Sequence, residues 1–102
     1  MIRFLRSACV MPGRVNEVLS YAREIGPYVK KLAGVDIEFA TEIGGETSRV
    51  GWFSAYPSLA AFEQANTKCL TDPKFQEMYQ KVAACFAPGS MHEKIWQISQ
   101  TN

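Results

Sequence analysis

The chain predicts an α+β domain with its elements in the order β-α-β-β-α-β. Three observations carry this reading. Residues 12–34 and 57–86 keep apolar side chains at helical spacing. Residues 35–43 and 48–56 alternate with a period of two around Gly44-Gly45, a hairpin signature. Strand-like runs close both ends, at 2–10 and 91–99.

The first strand is "IRFLRSACV" (2–10). Ile2, Phe4, Arg6, Ala8 and Val10 share one face, and Arg3, Leu5, Ser7 and Cys9 the other. Both faces carry apolar residues, which predicts a strand covered on both sides. Residues 12–34 follow, with Val15, Val18, Leu19, Ala22, Ile25, Val29 and Leu32 in helical register. Pro12-Gly13 marks the start and Gly34 the exit. Gly26-Pro27 leaves two outcomes: a kinked helix, or one that ends and restarts with Pro27 in its first turn.

In "VDIEFATEI" (35–43), Val35, Ile37, Phe39, Thr41 and Ile43 face one way and the polar set the other. "GGET" (44–47) supplies the turn, since glycine accepts positive φ. In the returning "SRVGWFSAY" (48–56), Val50, Trp52, Ser54 and Tyr56 share a face. Ser58 is placed to cap the next helix, whose face is traced by Leu59, Phe62, Asn66, Cys69 and Leu70. Asp72-Pro73 then reads as a joint between two helical pieces. Aspartate suits an N-cap, and proline suits the first helical position, where its missing N–H costs nothing. Phe75, Met78, Tyr79, Val82 and Phe86 continue the second piece. "APGS" (87–90) is a turn and "MHEKIWQIS" (91–99) the last strand.

This order is the ferredoxin-like split βαβ arrangement. Right-handed crossovers give a four-stranded antiparallel sheet with the helices on one face. The other face, with Leu5 and Phe53 or their alternates, is too apolar for water. A second copy is its expected cover, giving a homodimeric α/β barrel.

Composition narrows the function. The 102 residues make a single domain, 1–102, and 47% hydrophobic with 21% charged residues exclude disorder. A net charge of +1 with no basic cluster speaks against a nucleic-acid partner. Cys9, Cys69 and Cys85 are odd in number and lack CxxC spacing, which argues against a disulfide framework or structural zinc. Reduced thiols, and the lack of a secretory or membrane-spanning apolar run, predict a cytoplasmic protein with no membrane partner.

"WFSAYPSLAAFEQ", then "LTDPKFQEMYQKV", and the first-strand exit "VMPGRVNEVL" together resemble the dimeric α/β-barrel superfamily. That group includes antibiotic biosynthesis monooxygenases, haem-degrading monooxygenases and the NIPSNAP family. The resemblance covers nearly the whole chain and implies a ligand pocket inside each protomer, between sheet and helices. Haem-degrading relatives use an asparagine, a tryptophan and a histidine at positions that match Arg6, Tyr56 and Tyr79 here. All three differ, so the resemblance implies no haem, and no cofactor is expected.

The pocket candidates are Arg6, Ser54, Tyr56, Tyr79 and His92. Arg6 either pairs with Glu38, Glu42 or another side chain, or holds an acidic or phenolic ligand. Tyr56 and Tyr79 either donate to a ligand or pack with their hydroxyls toward water or backbone. His92, the sole histidine, is either a general base or a surface residue at a strand end. Trp52 and Trp96 suit a core or an interface, or stacking on a planar ligand. No cysteine has a neighbouring histidine, so nucleophilic catalysis lacks local support, and no metal or phosphate-loop motif exists. Catalytic residues are therefore unassigned. Two functions remain: a cofactor-independent, monooxygenase-like enzyme acting on a small aromatic or apolar molecule, and a non-catalytic NIPSNAP-like binding or interaction protein. A cavity lined by Arg6 and tyrosines favours the first; those side chains packed on one another favour the second.

Overall fold

The computed structural model describes residues 1–99. β1 (Ile2–Cys9) leads into α1 (Val15–Ala33). β2 (Glu38–Thr41) and β3 (Arg49–Tyr56) form the hairpin; α2 (Leu59–Thr71), α3 (Pro73–Val82), a short 3-10 turn (Ala83–Cys85) and β4 (His92–Gln97) complete the chain. The sheet is antiparallel with strand order β2-β3-β1-β4. This is the expected ferredoxin-like α+β arrangement. In the single chain the sheet stays open, with β2 and β4 as its edges.

Local chemistry sets the breaks. Asp72 has extended backbone (φ −83°, ψ 120°), the conformation that a following proline imposes. Its carboxylate accepts from the Phe75 N–H at 2.9 Å and caps α3, with Pro73 in the first turn. Ser58 Oγ accepts from the Ala61 N–H at 3.1 Å and caps α2. α1 runs unbroken through Pro27, so the chain takes the single-helix outcome. It ends at Gly34, in left-handed backbone (φ 72°), whose N–H reaches the Lys30 carbonyl at 2.9 Å.

Register fixes which side chains meet. Phe4 lies opposite Ser54, Arg6 opposite Trp52, and Ala8 opposite Val50. These point at the helices, which settles which of the two alternating sets is covered. Ala8, Val18, Val50, Val82, Cys85 and Phe86 form one core cluster; Ile25, Val29, Val35 and Ala65 form a second. Ile2, Phe4 and Phe62 form a third. Each fully buried aliphatic or aromatic side chain of this kind contributes about 1.5–3 kcal/mol.

Three expectations change. β2 is shorter than residues 35–43: Val35 and Ile37 pack beneath the helices ahead of the ladder, and Ile43 is 91% exposed. The loop bends earlier because the Glu42 carboxylate accepts from the Glu46 N–H. Phe86 is not helical; it forms an isolated bridge with Val10. Leu59 and Leu70 are exposed, and the buried stripe of α2 runs through Phe62 and Ala65.

Candidate functional site

Arg6 and Trp52 sit directly opposite one another on adjacent strands, both on the helix-facing side. Between them and the helices lies a cavity of about 90 Å3. β1 contributes Arg6, β3 contributes Trp52, Ser54 and Tyr56, α1 contributes Tyr21, and α3 contributes Tyr79. Asn66 and Cys69 of α2 complete the polar part of the lining, and the rest is aliphatic and aromatic.

The Trp52 ring is held on three sides. Tyr21 meets it edge-on at 6.0 Å, Phe86 edge-on at 5.9 Å, and Phe39 at 5.1 Å between centroids. So fixed, its indole Nε1–H is buried and has no hydrogen-bond partner. Arg6 Nε is likewise buried and unpartnered. The guanidinium meets Glu93 of β4 only through one terminal nitrogen, at 3.3 Å, with side chains 28% and 50% exposed. Its carbon lies 5.6 Å from the Phe4 ring centroid. The partner of Arg6 is thus Glu93, not Glu38 or Glu42: in register, Arg6 lies opposite Glu93.

The remaining polar groups are donors or neutral. Ser54 Oγ donates to Tyr56 Oη at 3.1 Å, which uses the serine proton and one acceptor site of the tyrosine. Burial pushes the Tyr21 phenol up to about 12, against a smaller opposing pull from Arg6. Burial also raises the Cys69 thiol, with Asp72 adding to it. Neither is ionised at neutral pH. Among the described residues the lining holds no histidine and no acid. The site therefore offers hydrogen bonds and one positive charge, and no base.

Arg6, Ser54, Tyr56 and Tyr79 all line this cavity. His92 does not. It pairs with Ser7, so it lies on the opposite sheet face and is exposed. There it stands near a polar cluster in which Arg49 donates to Ser7 Oγ at 3.1 Å and Cys9 Sγ donates to Glu46 at 3.0 Å. Tyr21 escaped the sequence reading, although its position three after Val18 and four before Ile25 put it on the buried face of α1. The missing partner of Trp52 leaves no trace in sequence. A haem does not fit these residues: no histidine reaches the cavity, and about 90 Å3 is well below the ~300–1,000 Å3 of drug-sized ligand sites.

The chain is an α+β protein of ferredoxin-like topology with an internal pocket between sheet and helices. It belongs to the NIPSNAP family, whose model matches residues 5–99. A NIPSNAP family protein from Agrobacterium tumefaciens is similar in structure, with a TM-score of 0.82 at 20% identity, covering 99% of this chain and 88% of that one. An uncharacterised NIPSNAP domain protein from Burkholderia xenovorans gives 0.81 at 15% identity, over 97% and 95% of the two chains. A Bordetella bronchiseptica protein proposed to be an antibiotic biosynthesis monooxygenase gives 0.74 at 18% identity, over 97% of each. At these identities the likeness is one of fold. No curated protein matches the sequence.

Proposed function

We propose that the protein binds a small, mostly apolar organic molecule in the cavity between sheet and helices. The observation that carries this is the pair of buried N–H donors, Arg6 Nε and Trp52 Nε1, left without partners on two side chains that line the cavity. Buried polar groups in folded proteins are nearly always satisfied. Leaving one unpaired costs about 1–3 kcal/mol, which a ligand acceptor recovers. A thermal-shift panel of small neutral and acidic fragments tests the reading. At least one fragment should raise Tm in proportion to the logarithm of its concentration. A flat panel at millimolar concentration would reject it.

A second reading makes the same pocket catalytic, as a cofactor-independent monooxygenase. Arg6 and the tyrosine hydroxyls support it, because fixed donors stabilise an oxyanion formed on a substrate. The absence of a base among the described lining residues weighs the other way. Oxygen uptake on a panel of phenols and quinols separates the two. Protein-dependent uptake that Arg6→Met abolishes favours catalysis; binding without uptake favours a binding protein.

The homodimer belongs to the same proposal. Leu5 and Phe53 lie cross-strand on the uncovered sheet face, and Trp96 is 55% exposed. Apolar surface of this kind is normally covered by a partner. Sedimentation should show a dimer, and Phe53→Lys should shift it toward monomer.

A further inference from the structure

We infer that the pocket selects an anion: a small carboxylic acid, bound as its carboxylate by Arg6 and Trp52, whose buried Nε and Nε1 donors turn toward it on binding, with its apolar tail among the aliphatic and aromatic lining. The inference rests on the binding reading above and names the ligand class.

The charge balance points first. Arg6 is the one ionised group among the described lining residues. Its counter-charge, Glu93, belongs to an exposed edge strand and reaches a single guanidinium nitrogen at 3.3 Å. A half-solvated carboxylate at that distance neutralises the guanidinium weakly. The buried Nε keeps a hydrogen-bond vacancy that Glu93 does not fill.

The hydrogen-bond balance points the same way. Arg6 and Trp52 are cross-strand neighbours, so both unpartnered donors come from one place on the sheet. Neither can accept. Tyr21 stays protonated, its phenol pushed up to about 12 by burial, so it adds a hydroxyl and not a base. The complement of several donors is a group that only accepts, and an ionised carboxylate offers about four lone-pair sites. A phenol arrives neutral at pH 7, carries its own donor, and meets no lining base to take its proton. The acid needs no such help.

Size limits the tail. The cavity of about 90 Å3 is smaller than the ~150 Å3 of an apolar cavity that admits benzene. A carboxylate with a short branched tail suits it; a ring requires side chains to yield.

Indole N–H resonances provide the test. Trp52 and Trp96 are the two tryptophans, and Trp96→Phe assigns them. The probes are isovalerate and benzoate, each beside its neutral amide. Either acid should shift the Trp52 indole signal and leave that of Trp96 in place. Its amide should bind about tenfold more weakly or worse, since charge-assisted hydrogen bonds are roughly twice as strong as neutral ones. Arg6→Met should abolish acid binding. Glu93→Gln should tighten it about threefold or more, because a competing and repelling carboxylate is gone. A structural salt bridge alone would not produce that gain. Amides binding as well as acids, or neutral fragments binding while both acids fail, would overturn the anion and leave the pocket reading intact. No binding by any acid or neutral fragment would overturn both.

Discussion

Arg6→Met separates a ligand anchor from a structural arginine without any ligand present. Three losses accompany the change. The Arg6–Glu93 pair, with side chains 28% and 50% exposed, is worth about 0–1 kcal/mol. The contact of the guanidinium with Phe4, at 5.6 Å, adds about 0.5–1 kcal/mol. A volume-conserving swap that keeps the aliphatic stem costs under about 1.5 kcal/mol. Against these stands the buried Nε without a partner, whose removal returns about 1–3 kcal/mol. Losses and gain nearly cancel, so stability should change by no more than about 1 kcal/mol. For a domain of this size that is a Tm shift within about 8 °C. Urea denaturation and calorimetry of parent, Arg6→Met, Glu93→Gln and the double variant give the numbers. The double-mutant cycle should yield a coupling below about 1 kcal/mol. A loss of about 3 kcal/mol or more on Arg6→Met alone would match a broken buried ion pair. The arginine would then be structural, and the argument from its unfilled donor would fail.

Further outcomes are expected elsewhere. Val18, wholly buried in the cluster around Ala8 and Phe86, should lose about 2–3 kcal/mol as Val18→Ala, from two carbons of transfer energy plus a cavity; a change in urea midpoint equivalent to under about 0.5 kcal/mol would contradict that packing. Asp72 accepts from Tyr28 Oη at 2.5 Å and from Phe75 N at 2.9 Å, and the Tyr28 bond first, then the backbone one, holds its carboxyl below the usual range. Its folded pKa being depressed, the stability it adds is present above the unfolded value of about 4 and lost as pH falls through the folded one. The Tm gap between parent and Asp72→Asn should therefore be flat above about pH 5 and close below about pH 4; a gap that persists at lower pH would show the shift is absent. Gly45 sits at φ +91°, and an added Cβ would come 2.6 Å from Glu42 Oε2, so Gly45→Ala should cost about 1–2 kcal/mol. Gly26, inside α1 with open space around it, should gain about 0.5–1 kcal/mol as Gly26→Ala; matching signs in urea unfolding would refute the contrast.

What the sequence disclosed depended on how local the determinant was. The Asp72-Pro73 joint was legible because both requirements, a capping carboxylate and a proline at the first helical position, lie in adjacent residues. The grouping of β1 and β3 residues by face was legible from a period of two, and packing against the helices decided which group is covered. Phe86 was not. Helical spacing continues past Val82, but the isolated bridge to Val10 takes the chain out of the helix, and nothing near Phe86 announces Val10. Ile43 continued an alternation beyond the end of its ladder, where an edge strand has no neighbour to enforce it. In the site, the shared face of Arg6, Ser54 and Tyr56 followed from parity. The isolation of two donors could not, because it is defined by every atom that fails to reach them. His92 and Glu93 differ by one residue, and only pairing with β1 decides which of them joins Arg6.

That pairing gives the site a further property. Glu93, Arg6, Trp52 and Phe39 form one row across β4, β1, β3 and β2. The row begins on an edge strand whose residues are all exposed and ends at Phe39, which packs against the cavity-lining Trp52 ring. Arg6 thus stands between two acceptors, a carboxylate on the sheet edge and whatever occupies the pocket. A partner that covers β4 removes water from Glu93, which strengthens its hold on Arg6. A ligand that takes Arg6 from within leaves Glu93 charged and favours its exposure. Any partner bound at this edge and a ligand in the pocket would therefore oppose one another, by the same free energy in each direction. Glu93→Gln removes the shared group and should uncouple them. If the proposed dimer reaches past the Leu5–Phe53 face to this edge, acid affinity should fall with rising protein concentration in the parent and stay constant in Glu93→Gln.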